Sequence, residues 1–205
     1  MFFSMLSEAW YSMGANRLRT FLTMLGIAFL NEIISKNELK SPADILNELR
    51  DKFIKELYLQ DAAHDGMDIT LIRMSYDQRT DHKEVLWAGA HNPLWVVRSS
   101  TNTTHDSGSL LEILPDKQPI GLSDNMRKFT DHRLDLEKGD KLYLFSDGFH
   151  DQFGGSEGKK LKKSGFKDVL LSVSQLPMDD QLSALSKFFD DWKNILGVNG
   201  DVTCF

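Results

Sequence analysis

Cysteine is nearly missing from this sequence. The one thiol in 205 residues, Cys204, has no partner for an internal disulfide and cannot build a cysteine zinc site, so a reducing, cytoplasmic setting fits. Within the apolar run VTCF it reads as a small hydrophobe. An excess of positive charge is missing too. Lys and Arg number 24 against 30 Asp and Glu, giving a formal net charge of −6 and a pI near 5.5. That balance argues against a general nucleic-acid binder, whose binding face must be basic. Long hydrophobic runs do not occur: the longest, Phe21–Leu30, contains Thr23 and is about half the roughly 20 residues a spanning helix needs. No small-residue cleavage site follows it, and Arg17 and Arg19 come after an apolar start, so a cleaved signal peptide is not expected. Internal repeats and low-complexity tracts are absent as well.

Several catalytic signatures are also lacking. There is no GxSxG, no P-loop and no GxGxxG, which removes the corresponding nucleophile and nucleotide chemistries. The six histidines form no HExxH or HxH pair, so a histidine-rich zinc site has no support. What remains is a composition of 41% hydrophobic and 26% charged residues, ordinary for a soluble globular fold. The length suits one domain with a core of its own.

The first thirty residues fit two readings. Phe2, Phe3, Met5, Leu6, Trp10 and Met13 can share the apolar surface of a helix lying on a membrane, or of one packing on its own domain. Further on, Ser41-Pro42 predicts a helix start, because serine caps free N–H groups and proline tolerates the first helical position. Ile45, Leu46, Leu49, Phe53, Ile54 and Leu57 follow at helical spacing. From Met67 the pattern turns strand-like: MDITLIRMSY, EVLWAGA, PLWVVRS, LLEIL, FTDHRLDL and KLYLFS, separated by turn-rich stretches. Ser99–Gly108 has the composition of a solvated hairpin tip. Leu182, Leu185, Phe189, Trp192 and Leu196 restore a helical period before a short closing strand. Helices, then strands, then helices predict an α+β layered sandwich rather than an alternating parallel-sheet fold.

The sharpest chemical feature is Lys141-Leu-Tyr-Leu-Phe-Ser-Asp-Gly148. An apolar strand delivers Asp147 at its end, a rigid mount for a carboxylate that could hold a hard cation. Gly148 would let a ligand approach the backbone closely, and an Asp-Gly turn with no further role is the alternative. Asp179-Asp180 is placed to open a helix and Asp190-Asp191 to face solvent. His91, in Ala88-Gly-Ala-His-Asn-Pro93, reads first as a turn-stabilising side chain and second as a catalytic one.

Taken in order, MLGIAFLNEII (24–34), DGMDITLI (65–72), WAGAHNPLWVV (87–97), KQPIGL (117–122), LDLEKGDKLYLFSDGFHDQFGG (134–155) and GDVTCF resemble one family. It is the SpoIIE-type branch of bacterial metal-dependent serine/threonine protein phosphatases, related to type 2C phosphatases. The resemblance implies an αββα four-layer sandwich of two antiparallel sheets flanked by helices. It also implies hydrolysis of phosphoserine and phosphothreonine in proteins, with two Mn2+ or Mg2+ ions activating water. By the same resemblance Asp147 is a metal ligand, and Asp201, in Gly200-Asp201 where the family carries Asp-Asp, is a second candidate.

Departures lie upstream. The family's early Gly-Asp motif and its Asp-x-x-Gly-His-Gly-x-Pro-Gly-Ala motif have no counterpart, and no aspartate occurs between Met1 and Ser41. The expectation is therefore an incomplete sandwich: residues 1–22 a foreign-looking amphipathic segment, residues 23–205 the C-terminal part of a phosphatase domain. SEAWYSMGANRLRTFLTMLGI resembles the entry to the first membrane helix of MacB-like ABC transporter permeases. Three functions follow as expectations: an impaired metal-dependent phosphatase, a non-catalytic partner-binding relative, or a membrane-associated fragment. Missing strands would leave sheet edges open to self-association.

Overall fold

A computed structural model describes residues 17–36, 40–58, 66–79, 82–99 and 109–194. In chain order its elements are helices α1 (Arg17–Lys36) and α2 (Pro42–Tyr58) and strands β1 (Ile69–Asp77), β2 (His82–Ala90), β3 (Leu94–Val97), β4 (Leu110–Ile113), β5 (His132–Arg133), β6 (Lys141–Leu144), β7 (Phe153–Gly154) and β8 (Lys159–Lys160). Helices α3 (Lys162–Val173) and α4 (Met178–Asn194) follow. The chain divides into two units, residues 1–91 with 115–134, and residues 92–114 with 135–205.

In the first unit the capping signal works as its chemistry requires. Ser41 Oγ accepts from the Asp44 N–H at 3.2 Å, and Asp131 Oδ1 accepts from the Ala43 N–H at 2.9 Å. The helix so started buries Leu46, Leu49 and Phe53 against Ile33 of α1. An antiparallel sheet of order β1-β2-β5 supplies the other wall. Its register pairs Ile69 with Ala90 and Leu71 with Ala88, so alternation sends these four side chains to the helix-facing side. Arg50 is buried beside this core. Its Nη1 donates to the Arg127 carbonyl at 2.7 Å and to Gln118 Oε1 at 3.2 Å, and its guanidinium lies 4.9 Å from the Phe129 ring centroid.

One strand is shorter than its pattern predicts. FTDHRLDL forms a ladder only at His132–Arg133. The Phe129 N–H goes to Asn47 Oδ1 at 3.1 Å and the Thr130 N–H to Asp116 Oδ2 at 2.8 Å, so side-chain acceptors have taken donors a ladder would use.

In the second unit a sheet of order β4-β3-β6 places β3 centrally, and all four residues of its apolar run LWVV are buried. Trp95 and Val97 join Leu161, Phe166 and Leu170 in the core on the helix-facing side. The β3–β4 pairing makes a hairpin, as expected, although its tip at 100–108 lies outside the described residues. The β7–β8 hairpin is held by Trp192. Its indole N–H donates to the Gln152 carbonyl at 3.1 Å, and the Gly155 N–H donates to the Trp192 carbonyl at 2.9 Å. A Cβ on Gly154 would sit 2.2 Å from that carbonyl oxygen, which is why two glycines stand together here. Asp179 and Asp180 open α4 and Asp190 and Asp191 are exposed, as their positions suggested. Leu182 departs from its helical period: it is 68% exposed, while Leu185, Phe189 and Trp192 are half-buried.

Candidate functional site

Asp147 sits where the sequence placed it, just beyond β6. The chain leaves the sheet at Leu144, and Phe145 stays tucked against Trp95 and Phe166, with ring centroids 4.3 and 5.2 Å away. Ser146 and Asp147 are then exposed. Phe149 returns to the core, stacking on Phe166 at 4.5 Å and Phe189 at 4.9 Å. An aromatic anchor on either side thus fixes the turn, and the Asp151 N–H closes it on the Asp147 carbonyl at 2.9 Å. A Cβ on Gly148 would meet only Ser146 Oγ, at an ordinary 3.6 Å, so the protein's own packing does not demand glycine there.

The next residues carry charge beneath and beside the turn. His150 is buried, its Nδ1 has no hydrogen-bond partner among the described residues, and its Nε2 lies 3.9 Å from Asp151 Oδ1. Loss of solvent pushes the imidazole below its ordinary pKa, against the opposing pull of Asp151, and so favours its neutral form. Asp151 is itself held below the usual carboxylate range by its hydrogen bond from Lys160 Nζ, at 2.8 Å.

Elsewhere, His91 uses Nδ1 to reach Asp68 Oδ1 at 2.8 Å, while its backbone N–H donates to the Asp116 carbonyl at 3.0 Å. Its φ of 58° is held by these contacts, so the structure gives this side chain the turn-stabilising role.

A dinuclear centre asks for several carboxylate oxygens converging on each ion. Among the described residues no group of three or more His, Cys, Asp or Glu could hold a metal. Asp147 is there one exposed carboxylate, and Asp201 lies outside the described residues. The described donors therefore do not fit a metal pair by themselves. Sequence reasoning also passed over three features here: buried His150, the Trp192 dock on Gly154-Gly155, and a lysine-rich run at 159–163. Only the last had a visible signal, its charge density.

The sequence model of the family described as stage II sporulation protein E matches residues 13–203. The chain belongs to the SpoIIE family. Among solved structures it is similar to the SiaA-PP2C domain of Pseudomonas aeruginosa, with 25% identity and a TM-score of 0.66, over 85% of this chain and 62% of that one. The chain thus spans 62% of the length of that structure. No curated protein matches significantly. The expected α+β class with antiparallel sheets and flanking helices is borne out, and this SpoIIE member is a phosphatase-family domain.

Proposed function

We propose that this SpoIIE domain is a protein serine/threonine phosphatase, dependent on Mn2+ or Mg2+, whose hydrolysis is impaired. One observation carries the reading. Asp147 is mounted rigidly at a strand end in the family's Ser-Asp-Gly motif, yet no described acidic neighbours complete a metal site around it. Purified protein is expected to release phosphate slowly from a phosphoserine peptide, only at high Mn2+, and Asp147→Ala is expected to reduce this to background. Equal turnover by the variant would overturn the proposal. Absence of both turnover and calorimetric Mn2+ binding would favour the second reading, a partner-binding relative, which the incomplete donor set also supports.

The substrate proposed is a phosphoprotein. The proposed foreign segment at residues 1–22 overlaps the family match, which starts at residue 13. A peripheral membrane contact is proposed for residues 1–30; among the described residues no helix is long and apolar enough to cross a membrane. Met24 and Ile27 of α1 are exposed there. Self-association is proposed through β1, an edge strand of its sheet that carries exposed Met74 and Tyr76. Size-exclusion chromatography is expected to show species larger than the 23.4 kDa chain, shifting further with anionic vesicles; a lone monomer peak unmoved by vesicles would refute both.

A further inference from the structure

We propose that the basic run Lys159-Lys160-Leu161-Lys162-Lys163 is a docking surface for an acidic segment of a protein partner. Naming that partner as the phosphoprotein substrate rests on the phosphatase reading above. In a chain of net charge −6, all four of these lysines are exposed, while Leu161 between them is buried and pins the run to the core. Two lysines are already balanced: Lys159 lies 2.6 Å from Glu157 and Lys160 lies 2.8 Å from Asp151. Among the described residues Lys162 and Lys163 make no salt bridge, although Lys163 is close enough to Asp151 and Glu112 to favour their charged forms.

Their placement is costly to the fold. They begin α3, whose first turn contains no acidic residue and whose N-cap, Leu161, makes no side-chain capping bond. Two ammonium groups at the positive end of a helix oppose its dipole. Lys162 also holds a φ of 64°, a conformation that favours glycine. Among the described residues no carboxylate forms a salt bridge with Lys162 or Lys163, and an anionic partner would supply one.

The location says what such a partner would be near. The Lys162 N–H donates to the His150 carbonyl at 2.7 Å, the Leu161 N–H donates to the Gln152 carbonyl at 3.1 Å, and Lys160 reaches Asp151. Three ties therefore bind the basic run to the turn that begins at Asp147. Opposite Lys160 across the hairpin, Phe153 is 56% exposed and offers an apolar contact beside the charges. A membrane surface fits less well, because the apolar residues of α3, Phe166, Leu170 and Val173, are spent in the core and leave no face to insert.

The test is fluorescence anisotropy with a labelled peptide carrying phosphoserine flanked by glutamates, read in EDTA so that hydrolysis plays no part. Lys162→Glu/Lys163→Glu is expected to weaken binding by about tenfold or more, and added salt is expected to weaken wild-type binding. The reversal places acids at a helix N-terminus and should preserve folding; Lys162→Gln/Lys163→Gln, expected to lose less, repeats the test without charge repulsion. Lys128→Glu, an exposed charge reversal elsewhere, is expected to bind as wild type. Binding by the double reversal within about twofold of wild type, an equal loss in Lys128→Glu, or binding to phosphatidylserine vesicles in place of the peptide would each overturn the proposal. Intact, lysine-dependent binding without turnover would instead count only against the phosphatase reading.

Discussion

Replacing Asp140 with alanine is expected to destabilise the second unit by about 3 kcal/mol, seen as a lower urea midpoint with an unchanged slope. The Asp140 side chain is only 2% exposed, and its oxygens accept from the Ser99 N–H at 2.9 Å, the Glu137 N–H at 3.0 Å and Arg98 Nη1 at 2.6 Å. Truncation leaves two backbone donors without an acceptor, at a cost of about 1–3 kcal/mol each. Arg98 is 38% exposed and its Nη1 also donates to the Asp135 carbonyl at 2.8 Å, so loss of the ion pair adds little. Burial works against the charged form of Asp140, but the donors from Glu137, Ser99 and Arg98 outweigh it and hold the carboxyl below its ordinary pKa. The folded value being the lower one, this stabilisation is complete above the ordinary carboxylate pKa and is lost as the pH falls through the folded value. The variant should therefore show a shallower loss of stability on acidification. An unchanged acid limb would show that Asp140 does not supply it.

Trp95→Ala should cost more, about 4 kcal/mol. Trp95 is fully buried and packs its ring, tilted, against both Phe145 and Phe166. Lys167 Nζ lies 5.1 Å from its ring centroid while pairing with Glu112 at 2.7 Å, so the indole also orders a surface ion pair. Phe145 is the inner anchor of the turn that carries Asp147, and a cavity beneath it loosens the very carboxylate the proposed activity needs. Trp95→Phe, which keeps most of the packing, is expected to lose about half as much in the same denaturation series. Equal stability of wild type and Trp95→Ala would show that the aromatic cluster is not the core of this unit.

Much of this was legible beforehand because it is local. The helical stripe at Leu46, Leu49 and Phe53, the Ser41 cap and the strand before Asp147 are short-range patterns of period and capping chemistry. The β5 strand is shorter than its local pattern because donors at Phe129 and Thr130 are claimed by Asn47 and Asp116, residues 82 and 14 positions away in sequence. Leu182 was misjudged because a helical period does not say which end of a stripe finds a partner.

The sequence alone determined α2, the strands β1 to β4 and β6, the order of motifs and the place of Asp147 at the end of an apolar strand, since each depends on neighbours within a few turns of chain. Only the tertiary structure decided that His150 is buried, that Gly154 and Gly155 exist to admit Trp192, and that the lysine run is tied to the Asp147 turn. Burial and the sharing of donors arise between distant segments, and no local pattern encodes them.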